Sequence, residues 1–209
     1  MQTRDTVDLL LLSLLWGAAY LFMRSAVPAF GPAPLVGLRL GLAALMLAPV
    51  MLLRGGLPSL RAHPWALIVL GIPFTAVPFL LLAYASQHLT AGLVAVLNAT
   101  SPLFAAIVAH FLAHERLGRL RVLGLVIGLA GVALLMWGNA SFKSDNGILA
   151  VAAVLLGWVA WGFGSHHTRK RLAGADAMVI TVGSLAAAAL FIAPFAWLAW
   201  PVQEIGRAS

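Results

Sequence analysis

Residues 62–114 read AHPWALIVLGIPFTAVPFLLLAYASQHLTAGLVAVLNATSPLFAAIVAHFLAH, a stretch of 53 residues without Asp, Glu, Lys or Arg. A transmembrane helix needs about 20 predominantly apolar residues, each adding about 1.5 Å of length. The stretch is therefore long enough for two membrane spans and the turn between them. The polar sequence SQHLT at residues 86–90 predicts the position of that turn.

The composition of the whole chain indicates the same surroundings. Of its 209 residues, 62% are hydrophobic and 9% are charged, whereas soluble domains average about 45–50% apolar and about 25% charged residues. The absence of cysteine excludes a disulfide framework, a thiolate metal site and a cysteine nucleophile. The net charge of +7 lies in short segments between apolar runs, which favours a role in membrane orientation. We expect a lipid bilayer as partner and no nucleic acid.

Further uncharged runs extend the pattern along the chain. Residues 122–142, 146–168 and 177–203 also lack Asp, Glu, Lys and Arg. Together with an N-terminal pair of spans, they predict an all-α integral membrane protein, a helical bundle of about seven transmembrane helices. The predicted helices are 7–26, 34–53, 65–87, 91–113, 120–138, 147–167 and 177–199.

Lys and Arg are distributed unequally between the two sides of this predicted bundle. With the N-terminus in the cytoplasm, nine of them fall on the cytoplasmic side and three on the opposite side. Cytoplasmic loops of membrane proteins carry an excess of Lys and Arg. We therefore expect a multi-pass protein of the cytoplasmic (inner) membrane with a cytoplasmic N-terminus.

Four residues of the first two predicted helices recur 145 positions downstream without a gap. The matches are Trp16-Gly17 with Trp161-Gly162, Arg24 with Arg169, and Pro49 with Pro194. The offset carries the first predicted helix onto the sixth, an odd number of spans later, so the second copy is inverted in the membrane. Inverted repeats place a solute path between the two halves near the midplane. A chance match of common residues is the alternative.

Several motifs of the predicted helices are typical of a known family. They are WGAAY (16–20) before Arg24, PLVGLRL (34–40), LNATSPL (97–103), HERL (114–117) and GLVIGLAGV (124–132). On these motifs the chain resembles the drug/metabolite transporter superfamily, of the EamA type, over essentially its whole length. The resemblance implies ten helices in two inverted halves of five.

This resemblance divides the chain into two parts. Residues 1–140 are expected to form a first EamA-like five-helix repeat, and residues 146–209 a partial second repeat of two helices. By the offset, three helices matching 65–138 are expected to follow Ser209, which makes the sequence a truncated fragment of a longer transporter. The alternative is a complete seven-helix protein that finishes its pathway as a homodimer.

The resemblance implies a secondary membrane transporter of small metabolites that works by alternating access, with export favoured over import by analogy to the family. A non-transporting accessory membrane protein or an inactive fragment is the alternative. An enzyme is not expected, because the sequence has no HExxH, GxSxG or Walker motif. His166 and His167 are adjacent, so on a helix they point about 100° apart and do not share a metal ion. We expect a small solute as partner, and no cofactor or metal.

Arg39 is the first candidate for the solute path. A charged residue within a span is rare and costs roughly 2.5–3.5 kcal/mol at the helix centre. In a path, Arg39 would attract an anionic or carboxylate-bearing solute. Alternatively, its guanidinium reaches the interface, because it lies near the end of its predicted helix.

A polar group in the fourth predicted helix is the second candidate. Asn98, Thr100 and Ser101 precede Pro102, which removes the backbone hydrogen bond to the Asn98 carbonyl and leaves an acceptor to be satisfied. Interrupted helices near polar groups build solute sites in transporters. The alternative is a purely structural kink stabilised by the Ser and Thr hydroxyls.

The third predicted helix contains Pro73 and Pro78, with Thr75 between them, so we expect it to be bent. Tyr84, nearer its outer end, is a further candidate for the path, with a place in the interfacial aromatic belt as the alternative.

The remaining candidates are aromatic or titratable. Four aromatic residues on the two repeat-related helices are candidates for a cavity wall, with ordinary packing as the alternative: Trp16, Tyr20, Trp158 and Trp161. His110 is a candidate proton relay, and a buried neutral histidine is the commoner explanation.

Overall fold

The computed structural model describes residues 3–113, 118–137 and 145–200. The described residues form ten α-helices and one π-helical segment, without a β-strand. The helices are α1 (Thr3–Phe30), α2 (Pro32–Leu53), α3 (Leu57–Ala62), α4 (Pro64–Gly71), α5 (Val77–His88), α6 (Ala91–Ala99), α7 (Ser101–Ala113), α8 (Arg119–Trp137), α9 (Gly147–Arg171) and α10 (Ala177–Leu198). The HERL motif, the end of the fifth predicted helix and the tail after Trp200 lie outside the described residues.

Six helical stretches of the described residues are long and apolar enough to cross a membrane. They are Asp5–Phe30, Pro32–Leu53, Pro64–His88, Ala91–Leu112, Gly147–Arg171 and Ala177–Leu198. Each corresponds to one predicted helix, and α8, with 19 residues, occupies the position of the fifth. The predicted all-α membrane bundle is therefore confirmed.

Large apolar side chains cover the outside of this bundle. Leu14 and Phe22 of α1 are 71% and 73% exposed, and Met46 of α2 is 77% exposed. Soluble monomers rarely expose apolar patches larger than a few hundred Å². The outer surface is thus suited to contact with lipid chains.

The most extensive helix contact joins α2 and α10. A Cβ atom on Gly37 would lie 3.2 Å from Ile192 Cγ2, and one on Gly41 would lie 3.8 Å from Ala189 Cβ. Residue numbers rise along one helix as they fall along the other, so the two helices are antiparallel. Small residues allow such helices to approach closely. The Gly37 and Gly41 pair therefore packs within the chain.

A π-helical segment, Ile72–Ala76, interrupts the third span between α4 and α5. Pro73 and Pro78 lack the backbone N–H that a regular helix uses at these positions. The buried Thr75 hydroxyl donates to the Leu70 carbonyl at 3.0 Å, so the span satisfies part of its own backbone. Hydroxyl groups and local π geometry are common means of accommodating proline in a membrane helix.

The largest buried cluster lies where α1, α2, α5, α6, α9 and α10 meet. Val27, Val36, Leu97, Val154 and Ile192 are almost fully buried there. Trp16, Phe79 and Trp161 pack against this cluster, which links it to the candidate site.

Candidate functional site

Five aromatic rings from three helices meet inside the bundle; we call them the aromatic cluster. They are Trp16 and Tyr20 of α1, Phe79 of α5, and Trp158 and Trp161 of α9. The ring centroids of neighbouring members lie 5.4–6.5 Å apart, in tilted or edge-to-face arrangements. These are the distances and orientations that aromatic pairs prefer. The cluster therefore joins the first, third and sixth predicted spans.

Within the cluster, Trp16 and Trp161 contact each other directly. Their ring centroids are 6.5 Å apart, with an angle of 63° between the ring planes. These are the two tryptophans whose positions differ by 145 residues. Both lie near the middle of their helices, α1 and α9. The contact is therefore deep within the bundle rather than at its ends.

Arg39 of α2 adjoins the same cluster. Its guanidinium carbon lies 5.0 Å from the centroid of the Phe79 ring, within the distance of a cation–π interaction. The side chain is half-buried and points into the bundle, which favours the path interpretation of Arg39 over a side chain that extends along the lipid face.

The fourth span is broken beside the cluster. Helix α6 ends at Ala99 and α7 begins at Ser101. The Leu97 carbonyl accepts from the Thr100 N–H at 3.1 Å and from the Thr100 hydroxyl at 2.6 Å. In an unbroken helix this carbonyl would accept from the N–H of Ser101. The carbonyl that accepts the additional hydrogen bonds is therefore that of Leu97, one residue before Asn98, because the regular helix is interrupted at Thr100.

A third donor reaches the break from another helix. The Trp158 indole Nε1–H donates to the Leu97 carbonyl at 3.1 Å, and this hydrogen bond is buried. Trp158 is 3% exposed and also contacts Trp161 at 5.4 Å between ring centroids. One residue of α9 therefore connects the break in the fourth span to the aromatic cluster.

Two buried polar atoms at this site have no hydrogen-bond partner among the described residues: the Tyr20 hydroxyl oxygen and Asn98 Oδ1. Leaving a buried polar atom unsatisfied costs about 1–3 kcal/mol, so such atoms call for a functional explanation. The Tyr20 hydroxyl can donate or accept, and Asn98 Oδ1 can only accept.

The other candidates lie around this centre or apart from it. Ser101 is half-buried, whereas Pro102 is exposed. Tyr84 lies beyond Phe79 on α5 and stacks with His88, with ring centroids 4.6 Å apart. His110 lies ten residues after Thr100, about 15 Å along a helix, and its ring contacts Phe111. The structure thus brings together Arg39, Trp16, Tyr20 and Trp161, and it places Asn98, Thr100 and Ser101 at the break in the fourth span. Tyr84 packs against the same buried cluster as Trp16 and Trp161, whereas His110 lies farther along α7.

One member of the site, Phe79, was not among the predicted candidates. Trp158 and Trp161 were, and their spacing of three residues places both on one face of a helix. Phe79 had no comparable signal, because nothing in the sequence distinguishes it from the other apolar residues of its span. Its role depends on which helix faces Arg39, and that is a property of the assembled bundle.

Long apolar helices around an interior of aromatic, amide and guanidinium groups define a multi-pass membrane protein. The particular family follows from comparison with known sequences. The chain belongs to the EamA-like transporter family, whose family model matches residues 7–137. This membership confirms the family suggested by the sequence motifs.

Individual relatives agree with this assignment. The chain is 23% identical over 188 residues to the uncharacterized transporter YoaV of Bacillus subtilis, which covers 89% of this chain and 64% of the relative. It is 30% identical over 158 residues to the uncharacterized inner membrane transporter YedA of Escherichia coli K12, covering 75% and 50%. The chain thus spans about half to two thirds of the length of these relatives. No solved structure matches the chain significantly.

Proposed function

We propose that the protein is a secondary transporter of small metabolites, an exporter of the inner membrane, that works by alternating access between two inverted repeats. Family membership supports the general class of membrane transporter. The name of the Escherichia coli relative, an inner membrane transporter, supports the proposed location. Residues 1–140 are the first repeat in this proposal, and residues 146–209 are the beginning of the second.

The contact between Trp16 and Trp161 carries the proposal. Two equivalent positions of a two-fold repeat touch each other only close to the axis that relates the copies. The antiparallel packing of α2 on α10, the second helices of the two proposed repeats, agrees with an inverted second copy. The axis then passes through the aromatic cluster, where a solute path is expected in an inverted-repeat transporter.

The chemistry of the site suggests how a solute would be held. The aromatic rings offer apolar surface, and Arg39 offers a cation that suits a carboxylate or another anionic group. The Tyr20 hydroxyl and Asn98 Oδ1 offer further polar contacts. We propose that the path accepts small solutes with one anionic group, and that His110 takes part in any proton coupling.

A transport assay tests this function. Vesicles that contain the protein are compared with empty vesicles for movement of a panel of small anionic, zwitterionic and cationic solutes. Replacement Arg39→Gln should lower the transport of anionic solutes by about tenfold or more, because it removes a charge-assisted contact. Arg39→Lys should transport anionic solutes at a rate between those of the unchanged protein and Arg39→Gln, since it keeps the charge but loses the planar contact with Phe79.

Arg54→Gln is the matched control. Arg54 follows α2 at its C-cap and is exposed, so its replacement removes the same charge from the same helix without touching the aromatic cluster. An equal loss in both variants would contradict the role of Arg39. No difference between protein-containing and empty vesicles would contradict transport itself, and would favour an accessory role in the membrane.

Two measurements test the proposed architecture. One is the intact mass of the protein from its native membrane. A mass above 22.0 kDa by about three helices would support ten helices. A mass of 22.0 kDa would instead require a homodimer to complete the path.

The other is the side of the membrane on which each loop lies. Because the chain has no cysteine, single cysteine replacements report this sidedness. Arg61→Cys should react with an impermeant thiol reagent from the cytoplasmic side, and labelling from the other side would reverse the proposed topology.

A further inference from the structure

A separate cleft of about 450 Å³ opens between the start of α4 and the end of α9. His63, Trp65, His167 and Arg171 are among the residues that line it. None of its lining residues belongs to the aromatic cluster, so the cleft is a different site from the proposed solute path.

Backbone contacts hold both histidine rings of this cleft. His167 Nε2 lies 3.0 Å from the Ala66 carbonyl oxygen, a contact that joins α9 to α4. His63 Nδ1 lies 3.0 Å from the Ser59 carbonyl oxygen. A carbonyl oxygen only accepts, so each of these nitrogens is the donor. The wall of the cleft is therefore fixed by hydrogen bonds rather than formed by loose surface side chains.

The charged lining of the cleft is basic. Arg171 is its charged lining residue, and none of the Asp or Glu residues that the structure describes lines it. Arg169 and Lys170 accompany Arg171 in the last turn of α9, and Arg61 lies in the last turn of α3. Asp176, the next acidic residue after α9, accepts a hydrogen bond from the Met178 N–H as the N-cap of α10. The cleft thus has the electrostatic character of an anion site.

The cleft also lies at the boundary of a membrane span. The span Pro64–His88 begins there, and Trp65 is 76% exposed. Exposed tryptophans at the ends of spans lie at the level of the lipid headgroups. Val69 extends the lining of the cleft along the span, toward the depth of the acyl chains.

We propose that this cleft binds the phosphate headgroup of an anionic phospholipid, with Arg171 facing the phosphate and Trp65 beside the glycerol and upper acyl chain. Basic clefts between transmembrane helices suit such headgroups, and guanidinium groups bind phosphate oxygens strongly. This inference goes beyond the proposed transport function and does not depend on it.

Binding can be measured with the whole 209-residue chain in mixed micelles. Phosphatidylglycerol with bromine on its upper acyl chains quenches a nearby tryptophan, and brominated phosphatidylcholine is the uncharged reference. The Trp65→Phe variant identifies the fluorescence that belongs to Trp65. We expect quenching of Trp65 at lower concentrations of phosphatidylglycerol than of phosphatidylcholine, and Arg171→Gln should reduce this preference by about fivefold.

Lys170→Gln is the matched control, because it removes one charge from the same helical turn but does not line the cleft. Arg171→Lys should retain most of the preference, which separates loss of charge from a folding defect. An equal reduction by Lys170→Gln and Arg171→Gln would overturn the proposal in favour of general attraction to a basic rim. Displacement of the lipid by low millimolar inorganic phosphate would overturn the lipid as occupant and indicate a soluble anion.

Discussion

The third and fourth spans are both interrupted next to a proline, but they satisfy the backbone in different ways. In the third span, the hydroxyl of Thr75 donates to the Leu70 carbonyl of the same span. In the fourth span, the Leu97 carbonyl accepts from Thr100 and also from the indole of Trp158 on α9. The first interruption is self-contained, whereas the second depends on a neighbouring helix.

This difference has a functional meaning. Any displacement of α9 relative to α6 must stretch or exchange the hydrogen bond between Trp158 and Leu97, and the same indole contacts the aromatic cluster. The third span has no such cross-helix bond at its π-helical segment among the described residues. We therefore expect the break in the fourth span to respond to a displacement of α9, and the π-helical segment of the third span to keep its shape.

The largest expected effect comes from forcing α9 away from α7 beside the break. A Cβ atom on Gly162 would lie 2.9 Å from Val108 Cγ2 and 3.2 Å from the Phe104 carbonyl oxygen. Gly162→Ala should therefore lower the free energy of unfolding by about 1–3 kcal/mol, the usual cost of overpacking. Denaturant titration in detergent micelles, followed by circular dichroism, measures this change.

Gly17 is the control for this substitution, because it is the equivalent position 145 residues earlier. A Cβ atom there meets nothing within 4 Å among the described residues, so Gly17→Ala should be neutral or slightly stabilising. Equal destabilisation by the two variants would show that loss of glycine, rather than the α7–α9 contact, is responsible.

A smaller effect is expected from the loss of the cross-helix bond. Trp158→Phe keeps an aromatic ring but deletes the indole N–H; the lost hydrogen bond should cost about 0.5–1.5 kcal/mol, and the smaller buried ring adds a packing cost. Hydrogen exchange at the amides of Thr100 and Leu103 should become faster. Trp197→Phe is the control, because Trp197 is 83% exposed; the same change in both variants would remove the proposed dependence of the break on α9.

The smallest effect is expected in the third span. Thr75→Val preserves the shape of the side chain and removes the hydroxyl, so it should cost about 0.5–1 kcal/mol. It should leave the exchange rates of the fourth span unchanged, because the interruption is satisfied locally. Thr75→Ser should restore most of the stability. Faster exchange at Thr100 in Thr75→Val would contradict the independence of the two interruptions.

Much of the fold was predictable because the constraints of a bilayer act along the chain. Uncharged runs of span length located the helices, and the Pro102 region correctly indicated an interruption in the fourth span. The break itself falls at Thr100, and the hydrogen bond that the Leu97 carbonyl accepts from the Trp158 indole could not be predicted, because the indole belongs to another helix, α9.

The neighbours of each helix were not predictable in the same way. In a soluble helix, the apolar face marks the core, but a membrane helix meets apolar surroundings on both the lipid side and the protein side. Phe79 and the exposed Phe22 are therefore alike in sequence, although Phe79 contacts Arg39 and Trp161. For the same reason the sequence left two interpretations of Arg39 open, a place in the solute path or a side chain that reaches the interface. The contact with Phe79 favours the first.

The pairing of α2 with α10 also sets an order in time. Ribosomes add about 5–20 residues per second, so Gly37 enters the membrane on the order of 10 to 30 s before Ile192, its contact on α10, has been synthesised. During that interval lipid must cover the groove that α10 later fills. The first half of the chain therefore has to persist in the bilayer as a loose set of helices, and it reaches its final packing only when the last described helix arrives.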